Sequence, residues 1–352
     1  MPILSVSDLV QQFPIAGSKA VVRAVNGVSF ELEQGETLAL VGESGSGKTT
    51  IGRCVLGLIR PTAGAIVYRG HEMGGRRSVR SAELRGKLQL VFQEPAESLN
   101  PRLRLFELID EPLRALQVNR AERERRVRAA ARRGGLAESL LELYPAEISM
   151  GLQQRVGIAR AMISEPEIVV LDEPTSALDP TARAEIIDLL IQIQRDLGTA
   201  YVFISHDLSA VRHISHRVAV LYLGMIVEQG PSATLFAQPS HPYSVGLLSS
   251  VLLPNPKLKR ETQIRLEGEI PSPIDLPKAC YLAGRCPLVQ ARCRERMPAV
   301  ESVEPGHMVR CYRHREVARQ EQAVDYFARF QEEAERILGA GMPPREKRPA
   351  IQ

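Results

Sequence analysis

The most constraining feature of the chain is the stretch Gly42-Glu43-Ser44-Gly45-Ser46-Gly47-Lys48-Thr49, followed by Thr50. A short apolar run, Thr37–Val41, precedes it, and a segment of helical character, Thr49–Leu58, follows. Two glycines flanking four residues, then Lys and Ser/Thr, form the pattern of a loop that wraps phosphate between a buried strand and a helix. Glycine lets backbone amides turn inward with no Cβ in the way. The helix starting near Lys48 aims the positive end of its dipole at the same point. Lys48 would place a charge on the β- and γ-phosphates of a nucleotide, and the Thr49 hydroxyl would ligate Mg²⁺. A plain glycine-rich turn is the alternative, and it leaves the Lys-Thr register unexplained.

A second buried strand reads Glu167–Leu171 and delivers Asp172-Glu173 at its carboxyl end, where an α/β sheet places its ligands. Asp172 would hold Mg²⁺ directly or through water, and Glu173 would polarise an attacking water. A third buried strand is expected over Tyr201–Ile204. Buried apolar strands separated by helical stretches imply a mostly parallel sheet covered on both faces. Before it, Ile3–Val10 and Val21–Leu32 alternate apolar and polar residues, as antiparallel strands do. Leu103–Leu116 and Arg120–Arg133 read as helices. The second is dense in arginine. It is either a basic arm for nucleic acid or a solvated face interleaved with Glu122 and Glu124, and the second reading is the simpler.

The chain has 352 residues, enough for one large core and an appendage. Net charge is only +4, from 45 basic and 41 acidic residues, which gives no electrostatic case for nucleic acid. No apolar run approaches the roughly 18 residues that span a bilayer. Met1–Ser5 has no basic segment leading into an apolar one, so no signal peptide is expected. A cytosolic fold is expected, with any membrane role exercised through a partner.

The order of motifs resembles the nucleotide-binding subunits of ABC transporters. Beyond the phosphate loop and Asp172-Glu173, Val91-Phe92-Gln93 resembles the Q-loop, whose glutamine senses Mg²⁺ and the nucleotide. Ile148-Ser149-Met150-Gly151-Leu152 sits where the Leu-Ser-Gly-Gly-Gln signature belongs. Ser176-Ala177-Leu178-Asp179 resembles the D-loop, and Ile204-Ser205-His206-Asp207 the switch-histidine loop. Phe13 falls where the family stacks an aromatic on adenine. The resemblance implies an α/β P-loop NTPase fold, an ABC cassette over residues 1–240. That cassette has a RecA-like mixed sheet, an antiparallel β subdomain and a helical subdomain at about 96–162. It implies Glu173 and His206 as catalytic residues, with Gln93 joining Thr49 and Asp172 at Mg²⁺. Phe13, residues 42–50, Ser149, Gly151 and Asp179 would contact ATP. In the family two cassettes sandwich two ATP molecules, each held by one chain's phosphate loop and the other's signature. Met150 replaces the signature's first glycine, where the backbone must approach the γ-phosphate closely. The defect falls on the site this chain caps, so an asymmetric heterodimer with a second ABC ATPase is expected.

Several segments resemble the oligopeptide and dipeptide importers in particular: Glu97–Arg102, Tyr222–Glu228 and His241-Pro242-Tyr243. So do Gly268–Pro273 and Glu304-Pro305-Gly306-His307 in the proline-rich stretch after about residue 240. This implies peptide uptake, two integral membrane permease subunits, an extracytoplasmic peptide-binding protein, and a peripheral position on the cytoplasmic face of the membrane. An importer of nickel or another small solute, or a mainly regulatory ATP-binding subunit, are the alternatives. The stretch 241–340 is expected as a loop-rich appendage closed by a polar helix near 316–338, with 341–352 a flexible tail. It carries Cys280, Cys286, Cys293 and Cys311. Their spacing matches neither zinc ribbons nor the ferredoxin run, so zinc, an iron–sulfur cluster and free thiols all stay open. The family resemblance implies a [4Fe–4S] cluster in a structural role. Cys54 reads as a small core residue.

Overall fold

Alternation in the first strands settles the first layer. A computed structural model describes residues 1–73, 84, 86–94, 98–249 and 266–318. Strands β1 (Leu4–Pro14), β2 (Val21–Leu32), β4 (Ala63–Tyr68) and β5 (His71–Glu72) form an antiparallel sheet in the order β2-β1-β4-β5. Its inward residues, among them Leu4, Val6, Leu9, Val28 and Phe30, are buried, while Ser7 and Glu31 between them face water.

The main sheet follows the opposite rule. β3 (Thr37–Val41), β6 (Leu88–Val91), β7 (Ile168–Asp172), β8 (Ala200–Ile204) and β9 (Arg217–Tyr222) are apolar nearly throughout, because helices or the first sheet cover both faces. In β3, Leu38 and Leu40 enter one core and Ala39 and Val41 the other. β7 divides in the same way: Ile168 and Val170 on one side, Val169 and Leu171 on the other. These five strands run parallel, as the mostly parallel sheet of the sequence reading implied, and their order is β9-β3-β8-β7-β6.

Helix α1 (Lys48–Val55) follows β3 and packs Ile51, Cys54 and Val55 into the core shared with the antiparallel sheet. Cys54 is thus the small core residue the sequence suggested, and burial lifts its thiol pKa to about 11. A third core lies within α2 (Leu105–Ala115), α3 (Arg120–Arg133) and α4 (Met150–Met162), which make a helical subdomain. α3 is a solvated face rather than a basic arm. Arg120 pairs with Glu124, Arg125 with Glu122, and Arg128 and Arg132 with Glu138. The remaining long helix of the cassette, α5 (Pro180–Leu197), covers the sheet with α6 (Leu208–Ile214).

The proline-rich stretch departs from expectation. It is not set apart from the cassette. β10 (Met225–Pro231) turns back antiparallel on β9, and α7 (Ser232–Ala237) and α8 (Pro242–Ser249) follow. After a short helix, α9 (Ala291–Glu295), the hairpin β11 (Glu301–Glu304) and β12 (His307–Val309) joins the main sheet at β10. Among the described residues the sheet therefore reads β11-β12-β10-β9-β3-β8-β7-β6. A last helix, α10, starts at His314 and is described to Ala318. The rest of the expected polar helix, the tail 341–352 and Glu97 lie outside the described residues.

Candidate active site

The loop between β3 and α1 has the backbone that its glycines permit. Gly42 has φ +155° and Gly47 φ +99°. A Cβ at Gly42 would sit 2.2 Å from the Leu221 carbonyl oxygen, and one at Gly47 2.3 Å from that of Ala24. Both glycines are therefore needed for contact with the protein's own backbone as well as for phosphate access. Gly45, also at positive φ, faces open space. The loop is braced by Gly224, whose N donates to Ser46 O at 3.0 Å, and Gly224 is itself held by Asn26 N, which donates to its O at 2.7 Å.

Lys48 folds over this loop. Its ammonium donates to the carbonyls of Gly42 (2.8 Å) and Glu43 (2.9 Å) and to Ser46 Oγ (3.3 Å). Burial lowers its pKa, against the opposing pull of Glu173, Asp172 and Glu43. Thr49 Oγ1 donates to Asp172 Oδ1 at 3.0 Å. Burial raises the Asp172 carboxyl pKa, while the Thr49 hydrogen bond opposes the shift. Two hard oxygens at contact distance beside a buried lysine fit a Mg²⁺ site. Gln93, exposed just beyond β6, lines the same cleft as Thr49 and Asp172.

Glu173 follows Asp172 at the end of β7 with φ +47°, a left-handed conformation that a non-glycine residue adopts at a cost. Its amide donates to Ile204 O at 2.9 Å, which fixes the kink to β8. One Glu173 carboxylate oxygen lies 3.2 Å from His206 Nδ1. The carboxylate is largely buried and the imidazole is exposed. Next to His206, Asp207 caps α6 and pairs with Arg183 at 2.6 Å. Residues 42–50, Gln93, Asp172, Glu173 and His206 thus gather at the carboxyl ends of β3, β6, β7 and β8, the mouth of the parallel sheet.

The other site residues stand elsewhere. Ser149 caps α4, accepting from Leu152 N at 3.4 Å. Met150 is the first residue of that helix and is 45% exposed, and Gly151 follows it. Asp179 caps α5, its carboxylate accepting from Thr181 N and Ala182 N at 3.0 and 3.1 Å. In the single chain that carboxylate is committed to its own helix. Phe13, paired with Val22 near the end of β1, is 37% exposed, so it is no core residue.

Cys280, Cys286, Cys293 and Cys311 border one small cavity beside His241, and none is in a disulfide. Burial raises the pKa of Cys280 to about 11, of Cys311 to about 12, and that of Cys286 as well. Yet among the described residues no three Cys, His, Asp or Glu side chains are grouped closely enough to hold a metal ion. The donors are of the right class for iron–sulfur chemistry, but their arrangement gives the expected [4Fe–4S] cluster no support.

Sequence reasoning missed one set of contacts here. Arg285, quoted above only through its neighbour Cys286, reaches back to the phosphate loop. It pairs with Glu43 through both guanidinium Nη atoms, at 2.9 and 3.0 Å. Tyr243 Oη accepts from Glu43 N at 2.9 Å. No local spacing could reveal a contact between residues so far apart in sequence.

Comparison with known proteins agrees with this geometry. Residues 25–176 match the ABC transporter family, and residues 227–293 match the oligopeptide/dipeptide transporter C-terminal region. A putative oligopeptide transport ATP-binding protein of Bacillus subtilis, YkfD, is 43% identical over 90% of this chain and 96% of its own length. The oligopeptide transport ATP-binding protein OppF of Salmonella typhimurium is 41% identical, over 88% of this chain and 95% of its own. Among solved structures, a dimeric ATP-binding cassette in a post-hydrolysis state with ADP and phosphate covers 65% of this chain and 98% of its own. Its TM-score is 0.59 and its identity 26%. CbiO1 of Clostridium perfringens, part of an ABC transporter complex, also has a TM-score of 0.59, at 28% identity over 70% of this chain and 95% of its own. A phosphate loop, an acidic strand end and a switch histidine on this sheet, continued by that C-terminal region, make the chain a member of the ABC transporter ATPases, in their oligopeptide/dipeptide branch.

Proposed function

We propose that the chain is the ATP-hydrolysing motor of a membrane importer for di- and oligopeptides. The observation that carries the hydrolytic part is the Glu173–His206 pair, 3.2 Å apart and next to an Asp172–Thr49 contact of 3.0 Å. Residues 42–50 hold the phosphates, and Phe13 stacks on the adenine. Mg²⁺, held by Thr49, Asp172 and Gln93, would neutralise charge on the β- and γ-phosphates. Glu173 accepts a proton from water as the water oxygen bonds to the γ-phosphorus. The bond to the β–γ bridging oxygen breaks, and ADP leaves. His206 orients that water and the γ-phosphate.

Ser149 and Gly151 serve the ATP of a second ABC ATPase, across a dimer in which Asp179 also lies. Met150, half-exposed at the start of α4, holds the position of the signature's first glycine in the family resemblance. We read this as a degenerate signature in an asymmetric pair. No helix among the described residues is long and apolar enough to cross a membrane. Two permease subunits would therefore carry the peptide, supplied by an extracytoplasmic binding protein, with this chain on the cytoplasmic face. The C-terminal region supports peptides over nickel.

Co-purification from membranes followed by ATP-dependent uptake of radiolabelled di- and oligopeptides into vesicles tests the reading. Uptake of peptide is expected. Uptake of nickel alone, or copurification with soluble partners only, would overturn it. A cysteine-bound metal would draw on the four side chains that border one cavity in a segment with little apolar core. Iron in the anaerobically purified chain supports a cluster, and stoichiometric zinc or no metal rejects it.

A further inference from the structure

The second residue of the phosphate loop does not point at the phosphate cradle. The Glu43 carboxylate faces the C-terminal region, where Arg285 takes both of its oxygens in a two-pronged pair. The Arg285 side chain is only 9% exposed. Its guanidinium lies 5.8 Å from the centre of the Tyr222 ring, and Nη1 reaches the Tyr222 hydroxyl at 3.4 Å. The Tyr222 ring packs against Tyr243 at 4.7 Å between centroids. Tyr243 in turn accepts the Glu43 amide hydrogen. Glu43 is therefore held at its side chain and its backbone by two residues outside the nucleotide-binding motifs.

The consequence falls on Lys48. Its ammonium sits on the carbonyls of Gly42 and Glu43, so whatever fixes Glu43 also fixes the cradle of the lysine. Three glycines in the loop take positive φ, and Gly45 has open space around it. Such a loop loses much freedom when phosphate binds, and a brace that orders it beforehand raises affinity. A planar guanidinium on a carboxylate supplies that order with direction, which a lysine in its place could not.

We propose that Arg285 is a positioning residue for the phosphate loop, acting through Glu43, so that the C-terminal region sets the chain's affinity for MgATP. The inference rests on the loop being the ATP site. Arg285 directly precedes Cys286, so the cysteine-lined cavity and the loop share one short segment.

Equilibrium binding of MgATP to the full-length chain tests it, with thermal unfolding measured alongside and kcat and KM taken in the assembled transporter. Arg285→Gln is expected to weaken MgATP binding roughly tenfold and to raise KM while kcat at saturation holds. Arg285→Lys, which keeps the packing and the charge but loses the fork, should fall between. Glu43→Gln should match Arg285→Gln in MgATP affinity, and the double variant should bind no more weakly than the poorer single. Affinities within twofold of wild type in the Lys and Gln variants, with only the melting point lowered, would reduce Arg285 to a structural role and overturn the proposal. So would losses that add in the double variant. A wild-type chain that fails to bind MgATP contradicts the ATP site itself.

Discussion

Asp172 and Glu173 are neighbours in sequence, and the fold gives them different surroundings. Asp172 ends β7, turned to the Thr49 hydroxyl, in a setting where burial raises its pKa. Glu173 leaves the strand in a left-handed kink and turns to His206. The kink was not legible in the sequence, since nothing in Leu-Asp-Glu-Pro marks a positive φ. Their placement at the carboxyl end of a buried strand was, because the apolar run ahead of them marks that strand. Met150 was visible in the sequence too, at the position of the signature's first glycine in the family resemblance. The structure adds that it stands exposed at the first position of α4, beside the capping Ser149. In the assembled complex, Met150→Gly is expected to raise total ATPase turnover or the amount of nucleotide trapped, by relieving the site that this chain caps. Unchanged turnover and unchanged trapping would show that the Met side chain does not obstruct it.

At the scale of elements, β3, β7 and β8 could be read from their unbroken apolar runs and β1 and β2 from alternation, while β4, β5, β6 and β9 were not read as strands. The hairpin β11–β12 could not. Its strands are short, and Glu301–Glu304 is exposed along its whole length. It joins the sheet because of long-range contacts at β10. There the buried Glu228 carboxylate accepts from Ser240 N (2.6 Å) and His241 N (3.0 Å) and pairs with His307 Nε2 at 2.7 Å. Glu228, His241, Tyr243 and His307 all fall in segments that resemble the peptide-importer branch, so those segments form the joint between cassette and extension. His241 is buried within it, its Nδ1 accepting from Tyr243 N at 3.1 Å. Burial lowers its pKa from 6.5 to about 3. The unfolded chain therefore binds a proton that the folded chain refuses between those values. Stability falls as pH drops from 6.5 towards 3, by up to about 1.4 kcal/mol per pH unit from this residue alone. His241→Asn keeps an acceptor but cannot titrate, so urea unfolding at pH 6.5 and pH 5 should show a shallower loss in the variant. An identical loss in both proteins would remove His241 from the account.

At the scale of the molecule, the candidate site residues fall in separate places. The phosphate loop, Asp172, Glu173 and His206 meet in one place, while Ser149 and Asp179 cap their own helices elsewhere and Gly151 lies in the first turn of α4. The family resemblance implied such a division, with the second group serving a partner's ATP. What the order of motifs could not give is the return of the extension to the phosphate loop, since a contact between Arg285 and Glu43 leaves no trace in local spacing. The central claim is that Glu173 is the base of hydrolysis and not a determinant of nucleotide affinity. Glu173→Gln, assayed for MgATP binding and for turnover in the assembled transporter, tests it most directly. The variant is expected to bind MgATP as the wild type does and to lose about 10²–10⁴-fold in kcat, the range for removal of a general base. Turnover that survives in the variant complex would contradict the assignment and leave this chain a regulatory ATP-binding subunit.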